Sequence, residues 1–161
     1  MLKIIEESIE RLACPEAIHL EVQNGLDDES VWLDHDLIVS MLLDLERNAL
    51  DAMPEGGALR VTTSGNDREV VITISDTGKG IPQESLSLLF TPFFTTKAAG
   101  NGTGLGLPSA YATVKAHRGD IKVESNTDAR QGPTGATVTI RLPRRQAFQE
   151  KKAKVILHEE E

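Results

Sequence analysis

Two glycine-rich segments constrain this chain more than anything else in it. One is Asp76-Thr77-Gly78-Lys79-Gly80-Ile81-Pro82 and the other is Gly102-Thr103-Gly104-Leu105-Gly106-Leu107. The first follows the strongly β-forming run Val70-Val71-Ile72-Thr73-Ile74-Ser75, so a carboxylate stands where an apolar strand dives into a glycine turn. A carboxylate there can accept a hydrogen bond from an exocyclic ring amine, and Gly78 and Gly80 let a flat ring approach the backbone. The second segment opens a run with helical spacing. Free N–H groups at a helix start, with the helix dipole, attract an anion. A base at one end and phosphates at the other is the reading of the pair. A Rossmann turn is excluded because that motif follows a strand directly, whereas here Phe93 to Asn101 intervene. A Walker loop is excluded because no Gly-Lys-Ser/Thr closes the segment.

The rest of the chain supplies a frame for these loops. Leu2, Ile5, Ile9 and Leu12 fall at helical spacing over 1–13, and Pro15 stops that helix. Strands are expected at Ile18 to Val22, Val31 to Leu33, Leu59 to Thr63, Val70 to Ser75, Ile121 to Ser125 and Ala136 to Leu142. Asn24-Gly25 and Gly65-Asn66-Asp67 mark turns. A long helix over 36–53, capped by Asp34 or Asp36, puts Leu37, Met41, Leu42, Leu45 and Ala49 on one face. Residues 83–103 read as loop with one helical turn near 85–90, and 105–117 as a helix ending near Gly119. Sequential strands with tight turns favour antiparallel pairing, with the helices gathered over one face. The expected class is α+β: a two-layer α/β sandwich whose mixed, mostly antiparallel sheet is covered on one face by helices.

Composition sets limits. With 39% hydrophobic but only 4% aromatic residues, the core must rest on Leu, Ile, Val and Ala. A net charge of −8 argues against a nucleic-acid partner, which needs a basic surface, but not against a small phosphate ligand. The single cysteine, Cys14, excludes an internal disulfide and reads as a small apolar residue. No apolar run approaches the roughly 18 residues of a spanning helix, and the acidic N-terminus is unlike a signal peptide. A cytoplasmic segment without direct membrane contact is expected, whether or not the full-length protein is membrane-anchored.

Asp44, Asn48 and Asp51 share a face of the long helix, opposite its apolar residues. The amide oxygen of Asn48 suits Mg2+, which keeps several waters and takes few protein oxygens when phosphates supply the rest. Lys97, just before the second glycine cluster, is placed to reach a terminal phosphate as a point charge. Leu89-Phe90-Thr91-Pro92-Phe93-Phe94 holds three of the four phenylalanines. That concentration reads as a hydrophobic anchor for a short lid, with Ala98, Ala99, Gly100 and Gly102 as hinge residues.

Taken in order, these segments resemble the ATP-binding catalytic domain of sensor histidine kinases, within the GHKL ATPase class. Ser40 to Met53 is similar to the family's N box and Asp76 to Gly80 to its G1 box. Leu89 to Lys97 is similar to its F box, Gly102 to Leu107 to its G2 box, and Gly135 to Val138 to its closing strand. The short lid resembles the nitrogen-regulation group. The resemblance implies ATP and Mg2+ as cofactors, with Asn48 as metal ligand and Asp76 reading adenine. It implies that Gly78 and Gly80 shape the base pocket, and that Gly102, Gly104 and Gly106 hold phosphates with help from Lys97. Asp51, Ala52, Ile81, Thr103, Leu105 and Thr137 complete the expected nucleotide contacts. Two positions depart from the pattern. Asp44 stands where the family usually has Asn, which leaves it a catalytic part in orienting the metal or a water, and Ala136 stands where Thr is frequent. His19, His35, His117 and His158 do not lie in the context of the family's phosphoacceptor.

The function implied is transfer of the γ-phosphoryl group of ATP to a histidine on a separate dimerisation domain, with a response-regulator receiver downstream. The alternatives are a related serine kinase of the anti-sigma kind, or a nucleotide-binding module whose catalysis has decayed. Residues 1–14 are expected to end a linker helix from an upstream domain, 15–143 to form the catalytic domain, and 144–161 to be a charged tail with a possible strand at 154–157.

Overall fold

The computed structural model describes residues 1–97 and 102–144. Ala98, Ala99 and Gly100 of the expected hinge, and the tail from 145 onward, lie outside the described residues. In chain order the elements are α1 (Leu2–Leu12), β1 (Ile18–Asn24), α2 (His35–Asp51), β2 (Gly57–Gly65), β3 (Glu69–Asp76), α3 (Gln83–Leu86), α4 (Gly106–Ala116), β4 (Asp120–Asn126) and β5 (Gly135–Pro143).

One five-stranded sheet has the order β1-β2-β3-β5-β4. The pairs β2–β3, β3–β5 and β4–β5 are antiparallel, while β1–β2 is parallel, with Ile18 opposite Gly57. The parallel pair has a topological cause: β1 and β2 are joined through α2, and parallel neighbours require such a crossover. The sheet is therefore mixed and mostly antiparallel, as expected.

Strand alternation puts Leu59, Val61, Val70, Ile72, Ile74, Ile140 and Leu142 on the helix-covered face, each at 2% exposure or less. Helix α2 lies at the centre of the helical layer and packs on α1, α4, β2 and β3. Asp34 caps it by accepting the Leu37 N–H at 3.1 Å. Its buried side is Ile38, Val39, Met41, Leu42, Leu45 and Ala49. Leu37 was expected on this face and instead is 47% exposed, because it lies in the first turn, one position short of the buried stripe.

Two further expectations are corrected. Val31 to Leu33 form no strand. A single backbone bond, from Trp32 N–H to the Arg144 carbonyl at 3.0 Å, is too little to make a ladder. Arg144, expected to begin a solvated tail, is buried. Its guanidinium donates to the carbonyls of Asn66 and Ser30 and pairs with Asp28, tying the 26–33 loop to the β2–β3 turn. His117 is also structural. Its Nε2 accepts the Asp34 N–H at 3.0 Å, so Nδ1 carries the proton donated to the Thr113 carbonyl at 2.8 Å.

The α1–α2 interface buries a carboxylate. Glu46 is 0% exposed. Its Oε1 accepts from the Ser8 hydroxyl at 2.9 Å, and Oε2 has no partner among the described residues. Burial pushes its pKa up to about 7, against the opposing effect of the Ser8 bond. The raised value means the folded chain holds a proton that the unfolded chain gives up near 4.5. Stability is therefore lost as pH climbs from about 4.5 to about 7, by on the order of 3 kcal/mol. Glu46→Gln should remove this component. Urea unfolding of both proteins at pH 5 and pH 8 checks it, and an equal pH dependence in the two would contradict the assignment.

Candidate nucleotide site

Helix α2 turns its polar face to a cleft of about 600 Å³. Asp44, Asn48 and Asp51 line it from that helix, Lys97 from the segment that follows Phe94, and Gly102 to Leu107 from the start of α4. A smaller, mainly apolar pocket of about 70 Å³ opens from its floor, between α2 and the ends of β3, β4 and β5. The two share Asn48, Ala52, Gly80, Ile81 and Leu107.

Asp76 lines the smaller pocket. Its Oδ1 accepts two backbone N–H groups, Gly78 at 2.8 Å and Ala136 at 3.3 Å. Both bonds fall on one oxygen, which leaves Oδ2 for a donor in the pocket. Burial raises the pKa of this carboxyl, and the two N–H bonds oppose the rise. Leu45, Ala49, Ile74, Val123 and Val138 give the pocket its apolar walls.

The glycines of the first turn serve a purpose the sequence did not suggest. A Cβ on Gly78 would lie 2.4 Å from the Ala52 carbonyl, and one on Gly80 would lie 2.3 Å from the Asn126 carbonyl. Gly80 also has φ +72°. These residues are glycine because the turn is wedged between the end of α2 and β4. Ser125 completes the wedge, accepting the Ile81 N–H at 2.7 Å while donating to the Gly135 carbonyl at 2.8 Å. No sequence signal marks Ser125, whose partners come from two distant segments. Gly80 remains a lining residue, but Gly78 lines neither cavity.

At the other end, α4 begins at Gly106 with no side-chain cap on its N-terminus. A Cβ on Gly106 would come within 3.5 Å of Asn48 Nδ2 and 3.6 Å of Asp44 Cβ, so this open helix start faces the turn of α2 that carries both residues. Phe93 N–H bonds the Gly104 carbonyl at 2.9 Å and closes the base of the intervening loop. The expected aromatic anchor is real but narrower than the motif. Leu89 is buried, and Phe90 packs on the core and on Tyr111 at 5.0 Å, whereas Phe93 is 76% exposed with φ 68°.

Lys97 lines the cleft as expected and bonds two side chains of α2. Its ammonium donates to Asn48 Oδ1 at 3.1 Å and to Asp51 Oδ2 at 2.5 Å. It sits on the oxygen expected to bind a metal, so the position already selects a cation. Among the described residues, no group of three or more His, Cys, Asp or Glu gathers as a metal cage. Thr137 lines neither cavity. Strand alternation turns it away from its neighbours Ala136 and Val138, which do line the smaller pocket. Arg47 and Lys79 line the cleft without having been singled out from the sequence.

Residues 33–146 match the family model described as histidine kinase-, DNA gyrase B-, and HSP90-like ATPase. The chain belongs to this family. It is 42% identical over 113 residues to sensor histidine kinase ZraS of Escherichia coli K12, covering 70% of this chain and 23% of that protein. Sensor kinase CckA of Brucella abortus is 36% identical over 151 residues, covering 84% of this chain and 15% of that protein. This chain thus spans under a quarter of the curated relatives it matches. Among solved structures, the mycobacterial sensor histidine kinase MprB superposes with TM-score 0.77 at 28% identity, covering 90% of this chain and 96% of that one. The nucleotide-free catalytic domain of histidine kinase ThkA superposes with TM-score 0.68 at 27% identity, covering 88% of each. The family's ATPase fold and this chain's two-layer architecture coincide. No helix among the described residues is long and apolar enough to cross a membrane.

The two ends of the site differ in what a methyl group would do. Gly80→Ala should destabilise the fold by about 2 kcal/mol or more, since it meets a backbone carbonyl at positive φ. Gly106→Ala makes only ordinary contacts and should change stability by less than about 1 kcal/mol. Thermal unfolding of the two variants measures the contrast.

Proposed function

We propose that this chain is the catalytic domain of a sensor histidine kinase. It binds Mg-ATP and presents the γ-phosphoryl group to a histidine on a separate dimerisation domain. The observation that carries the reading is Asp76: one oxygen is tied down by two backbone amides and the other is left for the apolar pocket. A pocket with flat apolar walls and one fixed acceptor suits a purine bearing an exocyclic amine. The uncapped start of α4 suits the phosphates.

The residues present fit the cofactors. Asp76 Oδ2 would accept the adenine amine, with Ala52 and Ile81 beside it. Gly102, Thr103, Gly104, Leu105 and Gly106 would surround the phosphates. Asn48 Oδ1 would hold Mg2+, with phosphate oxygens and water as its remaining ligands. The bound cation supplies charge neutralisation on the transferring phosphoryl group. Lys97, which now bonds Asn48 Oδ1, would give up that oxygen to the cation and would pair with the phosphates instead. Asp51 loses its ion pair in the same exchange. Asp44 stands at the phosphate end, where its carboxylate orients the cation or a water. The protein's contribution is positioning and electrostatics, and the nucleophile comes from the other domain.

In the full-length protein, α1 with residues 1–14 would end a linker helix from the upstream domain, 15–143 with the buried Arg144 would form the catalytic domain, and the residues after it a charged tail. The partners are the histidine-containing dimerisation domain and a response-regulator receiver, in a cytoplasmic setting. The relatives are sensor kinases, which disfavours an anti-sigma serine kinase.

Calorimetry with magnesium present should show uptake of ATP in preference to GTP. Asp76→Asn turns one acceptor into a donor and should weaken ATP about tenfold or more while eroding the preference. Asn48→Ala should abolish the magnesium-dependent part of binding and the transfer of labelled phosphate to a supplied dimerisation domain. Unchanged magnesium dependence in Asn48→Ala would refute the metal assignment.

A further inference from the structure

Arg47 lies in the same turn of α2 as Asp44 and Asn48, immediately before the latter, and its side chain lines the cleft. Its helical neighbours at i−3 and i+4 are Asp44 and Asp51, both carboxylates at spacings where an ion pair forms readily. Neither pairs with it among the described residues. Asp51 is held by Lys97 instead. Among the described residues, most lysines and arginines do find a carboxylate, as Arg11, Arg60, Lys97, Lys115, Lys122, Arg130, Arg141 and Arg144 show. Arg47 and Lys79 line the nucleotide cleft without one.

These two cations belong to different ends of the cleft. Lys79 hangs from the turn between Asp76 and Ile81, and its backbone N–H bonds the Ala52 carbonyl at 3.2 Å, beside the base pocket. Arg47 lies one helical turn earlier on α2, level with the stretch that meets Gly106 and the open start of α4. Helix α2 runs along the cleft, with Asp44 near the open start of α4 and Ala49 beside the smaller pocket.

We infer that Arg47 is a further substrate-binding residue of the reaction, a guanidinium supplied from within the domain to the terminal phosphoryl group. This rests on the nucleotide reading above and adds to it a residue specific for the third phosphate. A guanidinium is suited to the task because its planar fork donates two parallel hydrogen bonds to phosphate oxygens. At that position it stabilises charge on the group being transferred, and it contributes nothing to ADP. It therefore also favours release of the product over the substrate.

The experiment is calorimetry of the full chain with magnesium, comparing ADP with the non-hydrolysable β,γ-imido analogue of ATP. Arg47→Ala should weaken the triphosphate analogue about tenfold or more and leave ADP within about twofold. Arg47→Lys should recover part of the loss. Lys79→Ala makes the same charge change at the base end and should affect both nucleotides by equal factors. A merely structural role for Arg47 would lower both affinities together, and that outcome overturns the inference. So does an Arg47→Ala protein that binds the triphosphate normally, or a Lys79→Ala protein that loses the triphosphate selectively. Wild-type protein that takes up neither nucleotide overturns the nucleotide reading and this inference with it. Wild-type protein that binds both while Arg47→Ala shows no selectivity overturns this inference alone.

Discussion

Helix α2 must satisfy two neighbours at once. Its apolar stripe is sealed against β2 and β3, and its polar stripe forms one wall of the cleft. The packing of Ile38, Leu42, Leu45 and Ala49 fixes the rotation of the helix about its axis. Once that rotation is set, Asp44, Asn48 and Asp51 have no choice of direction. A slip by one residue would turn Asn48 by about 100° and dissolve the site. The core therefore does more than stabilise the domain: it aims the chemistry.

The second constraint is the junction at the end of β3. Asp76 Oδ1 draws together its own turn and the first residues of β5, two segments 60 positions apart. Ser125 draws the same turn to β4 and β5. The smaller pocket is thus assembled from backbone segments in close approach, which is why the glycines there answer to packing. The phosphate end is built differently. It is an open helix start at which the Phe93 N–H meets the Gly104 carbonyl. One end is rigid and apolar, the other polar and loosely framed, and the ligand proposed for the site has the same asymmetry.

Charge is managed locally. The chain is acidic overall, yet its cleft carries Arg47, Lys79 and Lys97 against Asp44 and Asp51. The Lys97 ammonium on Asn48 and Asp51 keeps that stretch of α2 beside a cation. The buried Glu46 stands two residues before Asn48, on the side of α2 that meets α1. Its desolvation is a stability cost located at the junction with the helix expected to lead upstream.

Much of this was legible in the chain itself. The helical stripe of α2, the alternation of β3 and the Asp-Gly turn are local patterns, written in residue spacing, and each led to the right element. The positions of Asp76, Asn48 and Gly102 to Gly106 around one cleft were legible for the same reason, because each lies on a single element. What stayed hidden depends on residues far apart in sequence. Thr137 sat in the right motif but on the wrong face. The bonds of Lys97 to Asn48 and Asp51 span 49 and 46 positions, and Phe93 belongs to the aromatic cluster without joining its anchor. Arg47 and Lys79 lay inside recognised segments without being singled out, and Ser125 carried no signal. Periodicity determines which side of an element is apolar. Only the tertiary structure decides which neighbour each side meets, because that follows from the order of strands in the sheet and the carbonyls they bring within reach.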